Sequence, residues 1–314
     1  MTDIKTPYIN IQTDFGFKYV FGSEHNKDAL MRFLNILFDG KLHVTDVIYH
    51  DKEILPSSKE GKRIVYDVYC TYSSPRDASP FFPPSQIKHT KGDANTDHHF
   101  ILEMQNIYLP PFEERIVFYA SKAIASQGKS GWNYELEPVF AIAVTDFNFS
   151  HLSPKLMRDV MLVDRETMEP LTDKLHILLC SLKEVPSVWE ECETELAQVL
   201  FLIKNMEKMD NTSLAYKEGN FTEIFNAARS NTLKDDEIVA YSQSLDKLRD
   251  IEAGILFAAD EAREKGREEG RAEGRAEGRA EGRAEGRSEV ISEKVVKARE
   301  LGLPEDIIAQ LFGN

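Results

Sequence analysis

The alternation of apolar and polar residues changes along the chain and predicts a helix, then several strands, then helices again. Leu30, Leu34, Leu37 and Phe38 recur at helical spacing and predict an amphipathic helix that ends near Gly40. The segments HVTDVIYHDKEIL and KRIVYDVYCTY are rich in β-branched and aromatic residues, and SSKEG lies between them. They therefore predict an antiparallel hairpin.

The pattern after the hairpin predicts a loop, two further strands around a helix, and a last strand. Residues 73–97 contain four prolines and many small polar residues, which is typical of a long loop. HHFILEMQNIYL predicts a strand and FEERIVFYASKAIASQG a helix. LEPVFAIAVTDF is almost continuously apolar, as expected for a strand in a covered sheet, and LHILLCSL predicts another strand.

These elements predict an α/β fold with a mixed sheet flanked by helices. We divide the chain into a sheet domain over 1–185, a helical region over 186–258, a repeat tail over 259–287 and a helix-turn-helix-like cap over 288–314. The cap sequence, KARELGLPEDIIAQLFG, contains one helix pair and a Gly-Leu-Pro break, and an oligomer cap is the alternative interpretation.

The repeat tail recurs with a period of four residues, Gly-Arg-Ala-Glu, from Lys265 to Arg287. A glycine in every turn disfavours an isolated helix, which leaves a flexible or half-helical spacer as one interpretation. The glycines would also let a second helix approach closely, so a self-association rod is the other interpretation of the tail. Residues 260–287 carry nine acidic and eight basic residues, so this near-neutral tail is a poor candidate for direct DNA binding.

Composition indicates a globular protein without a broad nucleic-acid-coating surface. The net charge is −15 and the sequence pI is about 5.1. An acidic total still permits a nuclease, because carboxylates gathered around a metal coexist with local basic groups. Three scattered cysteines fit buried thiols in a reducing compartment. With no signal pattern and no long apolar run, we expect a cytoplasmic protein that does not enter a membrane.

The candidate chemistry begins in the strand HFILEMQN. Because side chains alternate along a strand, Phe100, Leu102 and Met104 share an apolar face, whereas Glu103 and Gln105 share the other. A carboxylate inside an apolar strand loses hydration and requires a compensating partner.

Asp67 presents the same problem in RIVYDVYC, on a neighbouring predicted strand. Two carboxylates that meet across the sheet would suit Mg²⁺, with water and a phosphate oxygen completing its oxygen ligands. The alternative is that Asp67 and Glu103 each form a structural pair with a nearby Lys or Arg.

Together these residues carry a resemblance. Asp67 followed by Glu103-Met104-Gln105 resembles the PD-(D/E)XK nuclease superfamily, with glutamine in place of the terminal lysine. More narrowly, the N-terminal Asp14-Phe15-x-Phe17-Lys18-x-x-Phe21, the strand LEMQN, and the helix with Arg115 and Tyr119 resemble the Rpn family. These are recombination-promoting nucleases, also described as transposases, and the resemblance covers roughly residues 10–185.

The resemblance implies a restriction-endonuclease-like fold and Mg²⁺-dependent cleavage of DNA, with Mn²⁺ or Ca²⁺ as other possible ions. Asp67 and Glu103 would bind the metal, and Gln105 would orient the attacking water or the phosphate. Glutamine cannot supply an ammonium charge, so activity would be weak unless Lys18 or Lys122 replaces the missing lysine.

Five further residues have open roles. Asp14 either assists the metal or caps the turn that Phe15 and Phe17 anchor. Arg115 and Tyr119 lie on one helix face. One interpretation is that both touch the DNA backbone. The other is that Arg115 pairs with an active-site carboxylate. The adjacent His98 and His99 point to opposite strand faces, so we expect strand-edge residues and not paired ligands.

The leading functional hypothesis is a Mg²⁺-dependent DNA endonuclease that forms a homodimer or higher oligomer through its C-terminal tail. The rival is a catalytically weakened or inactive nuclease-fold protein that acts as a DNA-binding or assembly module. A toxin or defence effector would use the same chemistry as the first hypothesis.

Overall fold

The computed structural model describes residues 6–51, 53–54, 64–75, 95–128, 131, 135–209 and 220–313. The chain forms two compact units, Met1–Lys247 and Leu248–Asn314. The helices are α1 (Asp14–Phe21), α2 (Lys27–Phe38), α3 (Phe112–Ala125), α4 (Glu195–Asn205), α5 (Thr222–Ala227), α6 (Asp235–Glu300) and α7 (Glu305–Phe312). The strands are β1 (Ile48–Tyr49), β2 (Glu53–Ile54), β3 (Ile64–Val65), β4 (Val68–Pro75), β5 (Asn95–Gln105), β6 (Val139–Thr145), β7 (Met157–Met161) and β8 (Leu175–Ser181).

Short 3-10 helices connect several of these elements. They span Glu24–Asn26, Leu182–Glu184, Trp189–Glu191, Met206–Lys208 and Ser230–Thr232.

Six strands form a mixed sheet in the order β1-β4-β5-β6-β8-β7. β5, β6 and β8 are parallel, whereas β1, β4 and β7 each pair with their neighbours in the antiparallel sense. This confirms the predicted mixed α/β sheet. The edge strand β7, MRDVM, lacks a buried run and was not predicted, because its residues are exposed or half-buried.

The predicted hairpin is also confirmed. β2 pairs with β3 in a separate two-stranded sheet, and β1 pairs with β4 in the main sheet. Both ends of the predicted loop over 73–97 belong to strands, since β4 extends to Pro75 and β5 begins at Asn95. Residues 76–94, the rest of that loop, lie outside the described residues.

The sheet is covered by helices on both faces. Phe100 and Leu102 of β5 belong to a core that includes buried residues of α1, α2, α4 and α5. Ile101 faces the other way and packs with Ala123 of α3 and Tyr66. The strand alternation predicted for HFILEMQN is therefore present, and Glu103 follows on the α3 face.

The second unit is helical. Helix α6 continues without a break through every Gly-Arg-Ala-Glu unit, and hence through the predicted borders at residues 258 and 287. Gly302, at φ 78°, ends it, and the amide of Leu303 donates to the carbonyl of Ala298 at 3.2 Å. α7 then buries Ile308, which confirms the predicted break and second helix. Among the described helices, none combines the length and apolarity needed to cross a bilayer.

Candidate active site

The site is assembled from the N-terminal helix, the start of β4 and the end of β5. Thr13 caps the N-terminus of α1: its Oγ1 accepts from the amide of Gly16 at 2.9 Å and donates to the carbonyl of Asn10 at 2.8 Å. Gly16 is required by this tight turn, because a Cβ added there would lie 2.1 Å from the Asn10 oxygen. Thr13, and not Asp14, therefore caps this helix.

The apolar side of α1 and a side chain after β5 hold the helix in place. Phe17 and Phe21 are fully buried, with ring centroids 5.2 Å apart. The Asn106 amide donates to the carbonyl of Gln12 at 2.7 Å, which joins the end of β5 to the segment before α1. The Phe-x-x-x-Phe pattern and the LEMQN strand thus act together to position Lys18.

Asp67 and Glu103 lie beside each other, and each carboxylate accepts a hydrogen bond from a backbone amide at or next to the other residue. Asp67 directly precedes β4, and Glu103 directly follows Leu102, the pairing partner of Val68. The amide of Asp67 donates to Glu103 Oε1 at 3.3 Å, and the amide of Met104 donates to Asp67 Oδ2 at 3.0 Å. The predicted meeting of the two carboxylates is therefore present.

Glu103 is buried, with 9% of its surface exposed. Burial raises the pKa of Glu103, the negative charge of Asp67 raises it further, and the result is about 8. The hydrogen bond from Asp67 and the charges of Arg115 and Lys18 oppose this shift without cancelling it. A positive ion near the two carboxylates would relieve this unfavourable arrangement.

Lys18 supplies one positive charge. Its ammonium nitrogen lies 3.1 Å from Asp67 Oδ1 and 2.5 Å from Asp14 Oδ1. Burial lowers the pKa of Lys18, but Asp67 and Asp14 raise it above its usual value, so Lys18 remains protonated. Asp67 thus has the structural ion pair that the alternative interpretation expected, whereas Glu103 forms no ion pair among the described residues.

Lys122, the other candidate for the missing lysine, has a different environment. Its ammonium lies over the ring of Phe118, 5.9 Å from the ring centre. The structure therefore brings Lys18, and not Lys122, to Asp67.

Gln105 is held at both ends of its amide. Arg115 Nη2 donates to Gln105 Oε1 at 2.5 Å, and Gln105 Nε2 donates to the carbonyl of Ile107 at 2.9 Å. Arg115 also lies over the ring of Phe112, 5.1 Å from its centre. Its direct partner is thus Gln105 and not a carboxylate, although its charge lowers the pKa of Glu103.

Tyr119, one turn beyond Arg115, packs on the edge of Tyr66 with ring centroids 5.4 Å apart. The Tyr66 hydroxyl donates to the carbonyl of Tyr119 at 3.2 Å. Burial raises the pKa of both phenols, and the negative charge of Glu103 adds to the shift in each case. These rings close the α3 side of the carboxylate pair. Tyr66 was not singled out in the sequence, because its packing depends on α3.

The two histidines point to opposite faces, as predicted, but they do not lie at a strand edge. His98 is buried against Phe140, with ring centroids 6.2 Å apart, in the core beneath α2. His99 lies on the α3 face, where its ring nitrogens contact the Tyr69 hydroxyl at 2.9 Å and Glu137 at 2.8 Å. β5 is flanked on both sides, which explains why neither is an edge residue.

The donor set fits a hard divalent cation such as Mg²⁺. Asp67 and Glu103 are adjacent carboxylates, and such ions commonly take one or two protein carboxylates with water and substrate phosphate as the remaining ligands. Within the described residues, no group of three or more His, Cys, Asp or Glu side chains could hold a metal. The pair would therefore be a partial ligand set that substrate completes.

A comparison with protein families identifies the relatives of this chain. The family model described as PD-(D/E)XK nuclease family transposase matches residues 11–76 and 90–258, which is most of the chain. The match confirms the resemblance and the restriction-endonuclease-like interpretation of the sheet. No curated protein and no solved structure matches the chain.

Proposed function

The chain belongs to the PD-(D/E)XK nuclease family transposases, and we propose that it is a Mg²⁺-dependent DNA endonuclease. The family supports a nuclease-type function. The observation that carries the more specific proposal is the juxtaposition of Asp67 with Glu103 and Lys18, because it combines two carboxylates with one ammonium. Mn²⁺ and Ca²⁺ are alternative ions for the same oxygen ligands.

In this proposal Asp67 and Glu103 would hold the cation. A divalent cation held there would supply positive charge at the scissile phosphate and promote attack by water. Glu103 must lose its proton before it can act as a ligand, and the cation favours that loss. Asp67 is held in position by the amide of Met104, so it needs little rearrangement.

We assign Lys18 the role that the superfamily gives to a lysine on the strand. Because Asp67 and Asp14 raise its pKa, it acts as a cation that orients the phosphate and offsets developing negative charge. It does not act as a base that removes a proton from water. Asp14 supports this role by fixing the Lys18 ammonium from the opposite side.

Gln105 occupies the lysine position itself, and we propose a positioning role for it. Its amide connects Arg115 to the end of β5. Arg115 is thereby oriented toward the Asp67 and Glu103 pair without forming an ion pair with either carboxylate. Tyr119 and Tyr66 limit access of water from the α3 side.

We further propose that the C-terminal helices mediate dimerisation or higher assembly. Six glycines of α6 follow one another at a spacing of four, and a Cβ added at any of them would meet nothing within 4 Å in this chain. Such a face allows close approach of a second helix. The buried thiols of Cys70, Cys180 and Cys192 support the cytoplasm as the place of action.

Cleavage of supercoiled plasmid tests the function. The purified protein should convert the plasmid to nicked or linear forms with Mg²⁺ and leave it unchanged with EDTA. The rival, a DNA-binding module without activity, is favoured by the engaged Gln105 amide. It predicts DNA retention without cleavage and no shift of the melting temperature on addition of Mg²⁺ or Mn²⁺.

A further inference from the structure

A cavity of about 480 Å³ lies between α1 and the first turns of α6, within the first compact unit. Asp14, Phe15 and Lys18 line it from α1, and Ala240, Gln243 and Lys247 line it from α6. Its volume falls in the range of pockets that bind small organic ligands. The cavity is therefore large enough for one flat ring and its polar attachments.

The cavity and the carboxylate pair share a wall. Lys18 lines the cavity, and its ammonium lies 3.1 Å from Asp67 Oδ1. Asp14, which contacts the same ammonium, is a second shared residue. Anything bound in the cavity is thus a direct neighbour of the centre to which cleavage is assigned above.

Hydrogen bonds between the two walls fix the shape of the cavity. The amide of Phe15 donates to Ser244 Oγ at 3.0 Å, and the amide of Asn10 donates to the Tyr241 hydroxyl at 2.8 Å. The rings of Phe15 and Tyr241 also contact each other, with centroids 6.0 Å apart. Because these bonds join α6 to the segment that carries Lys18, the cavity is preorganised.

The lining combines an aromatic surface with polar groups. Phe15 is partly exposed and stacks on Tyr19, with centroids 5.4 Å apart and an angle of 18° between the rings. Opposite them, Gln243 and Lys247 are exposed on α6 and offer an amide and an ammonium. A flat apolar surface with a nearby cation and hydrogen-bonding groups is the combination that binds single nucleotides of a strand.

We propose that this cavity receives an unpaired nucleotide of the DNA strand beside the scissile phosphate. Its base packs against Phe15, and Lys247 contacts a neighbouring phosphate. Bases inside a duplex present no free ring face, so the favoured substrate contains a single-stranded segment or tail. This inference rests on the proposed function, since it names the DNA form that the same site prefers.

Binding without metal tests the cavity separately from cleavage. The probes are a fluorescein-labelled duplex with an oligo-dT tail and the matching blunt duplex, titrated in EDTA and followed by fluorescence anisotropy. Ala240→Trp fills the cavity from its exposed side. Val239→Trp is the matched control, because Val239 is an exposed neighbour that does not line the cavity.

Wild type should bind the tailed duplex more tightly than the blunt one. Ala240→Trp should weaken binding of the tailed duplex about tenfold, the expected effect of losing one base-stacking contact, while Val239→Trp leaves it unchanged. Lys247→Gln, which disturbs no buried group, should weaken binding of the tailed duplex and reduce the salt slope of its affinity by about 1.

Equal binding of tailed and blunt duplexes by wild type would overturn the inference. Unchanged binding in both Ala240→Trp and Lys247→Gln would overturn it as well, as would the absence of binding to either probe. If the tail preference and its loss in the variants are seen but no metal cleaves the plasmid, the cavity assignment stands and the nuclease proposal fails.

Discussion

The ammonium nitrogen of Lys18 lies 3.1 Å from Oδ1 of Asp67, so a cation from the first helix meets the carboxylate that precedes β4. This contact gives the site a positive charge where the strand itself offers only Gln105. It also places the lysine of the N-terminal Asp-Phe-x-Phe-Lys pattern beside the carboxylate pair of the strand motif.

The first prediction concerns this lysine. Lys18→Ala should reduce the rate of plasmid cleavage about 100-fold or more, the typical effect of removing one group that stabilises developing negative charge. Lys18→Arg should keep part of the activity, because it retains the charge. Lys122→Ala is the control, since its ammonium lies over Phe118. Equal losses in the Lys18 and Lys122 variants would contradict the assignment.

The contact between Lys18 and Asp67 could not be read from the sequence, whereas the carboxylate pair could. Strand alternation and apolar neighbours are local signals, and they place Glu103 and Gln105 on one face beside Asp67. Which lysine lies beside Asp67 depends on how α1 packs. That packing is set by Thr13, Gly16 and the Asn106 amide together.

Local sequence patterns did not settle three other features. Edge strand β7 has no buried apolar run, so its pairing with β8 gives almost no periodic signal. Arg115 was expected either to touch the DNA backbone or to pair with an active-site carboxylate, but Gln105 accepts its hydrogen bond. The repeat tail forms a continuous helix although its glycines lower helix propensity, because the Arg, Ala and Glu residues between them favour it.

The second prediction concerns Gln105. Gln105→Lys restores the residue type that the superfamily usually has, yet it removes the hydrogen bond from Arg115 and places two cations together. We expect a loss of about 2 kcal/mol in the free energy of unfolding, because a bond to a charged group is lost. Urea denaturation measures it.

The matched control is the double variant Gln105→Lys with Arg115→Ala. It should recover part of the lost stability, since only one cation remains. An additive result in the double-mutant cycle would show that the two side chains are not coupled.

The third prediction concerns the pH dependence of stability without metal. The pKa of Glu103 is about 8 in the folded protein, against 4.5 for an ordinary glutamate, the value we take for the unfolded chain. Between these two pH values the folded state therefore holds a proton that the unfolded state releases. This contribution is fully present below the unfolded pKa and is lost as pH rises through the folded pKa. We expect the free energy of unfolding in EDTA to fall by roughly 2–4 kcal/mol from about pH 5 to about pH 8.

Glu103→Gln tests the origin of that fall. It keeps the size of the side chain and removes its titration, so the decline should become shallower by the amount assigned to Glu103. Urea denaturation of both proteins across this range measures it. An identical slope in the two proteins would show that Glu103 is not the group responsible.

The fourth prediction concerns the glycine face of α6. Gly274→Ala with Gly278→Ala should raise the helicity of the tail, because both positions are exposed within α6. Each change should stabilise the helix by up to about 1 kcal/mol, since alanine has a higher helix propensity than glycine. The added methyl groups should also weaken self-association by keeping a second helix farther away. Circular dichroism and sedimentation equilibrium of the full chain measure the two effects.

Ala272→Ser with Ala276→Ser is the matched control, because residues two positions away lie on another face of the helix. These changes should leave the dissociation constant unchanged. A dimer that is unaffected or tightened by the glycine substitutions would exclude this face as the interface.

The most direct measurement is single-turnover cleavage of supercoiled plasmid across a Mg²⁺ titration by wild type, Asp67→Asn, Glu103→Gln and the surface control Asp250→Asn. DNA binding and thermal unfolding of each protein are followed in parallel. We predict that wild type and Asp250→Asn cleave with a saturable Mg²⁺ dependence. Asp67→Asn and Glu103→Gln should remain folded, bind DNA and fail to cleave at any Mg²⁺ concentration. Undiminished cleavage by the folded Asp67→Asn and Glu103→Gln proteins would contradict the assignment of the active site to this pair.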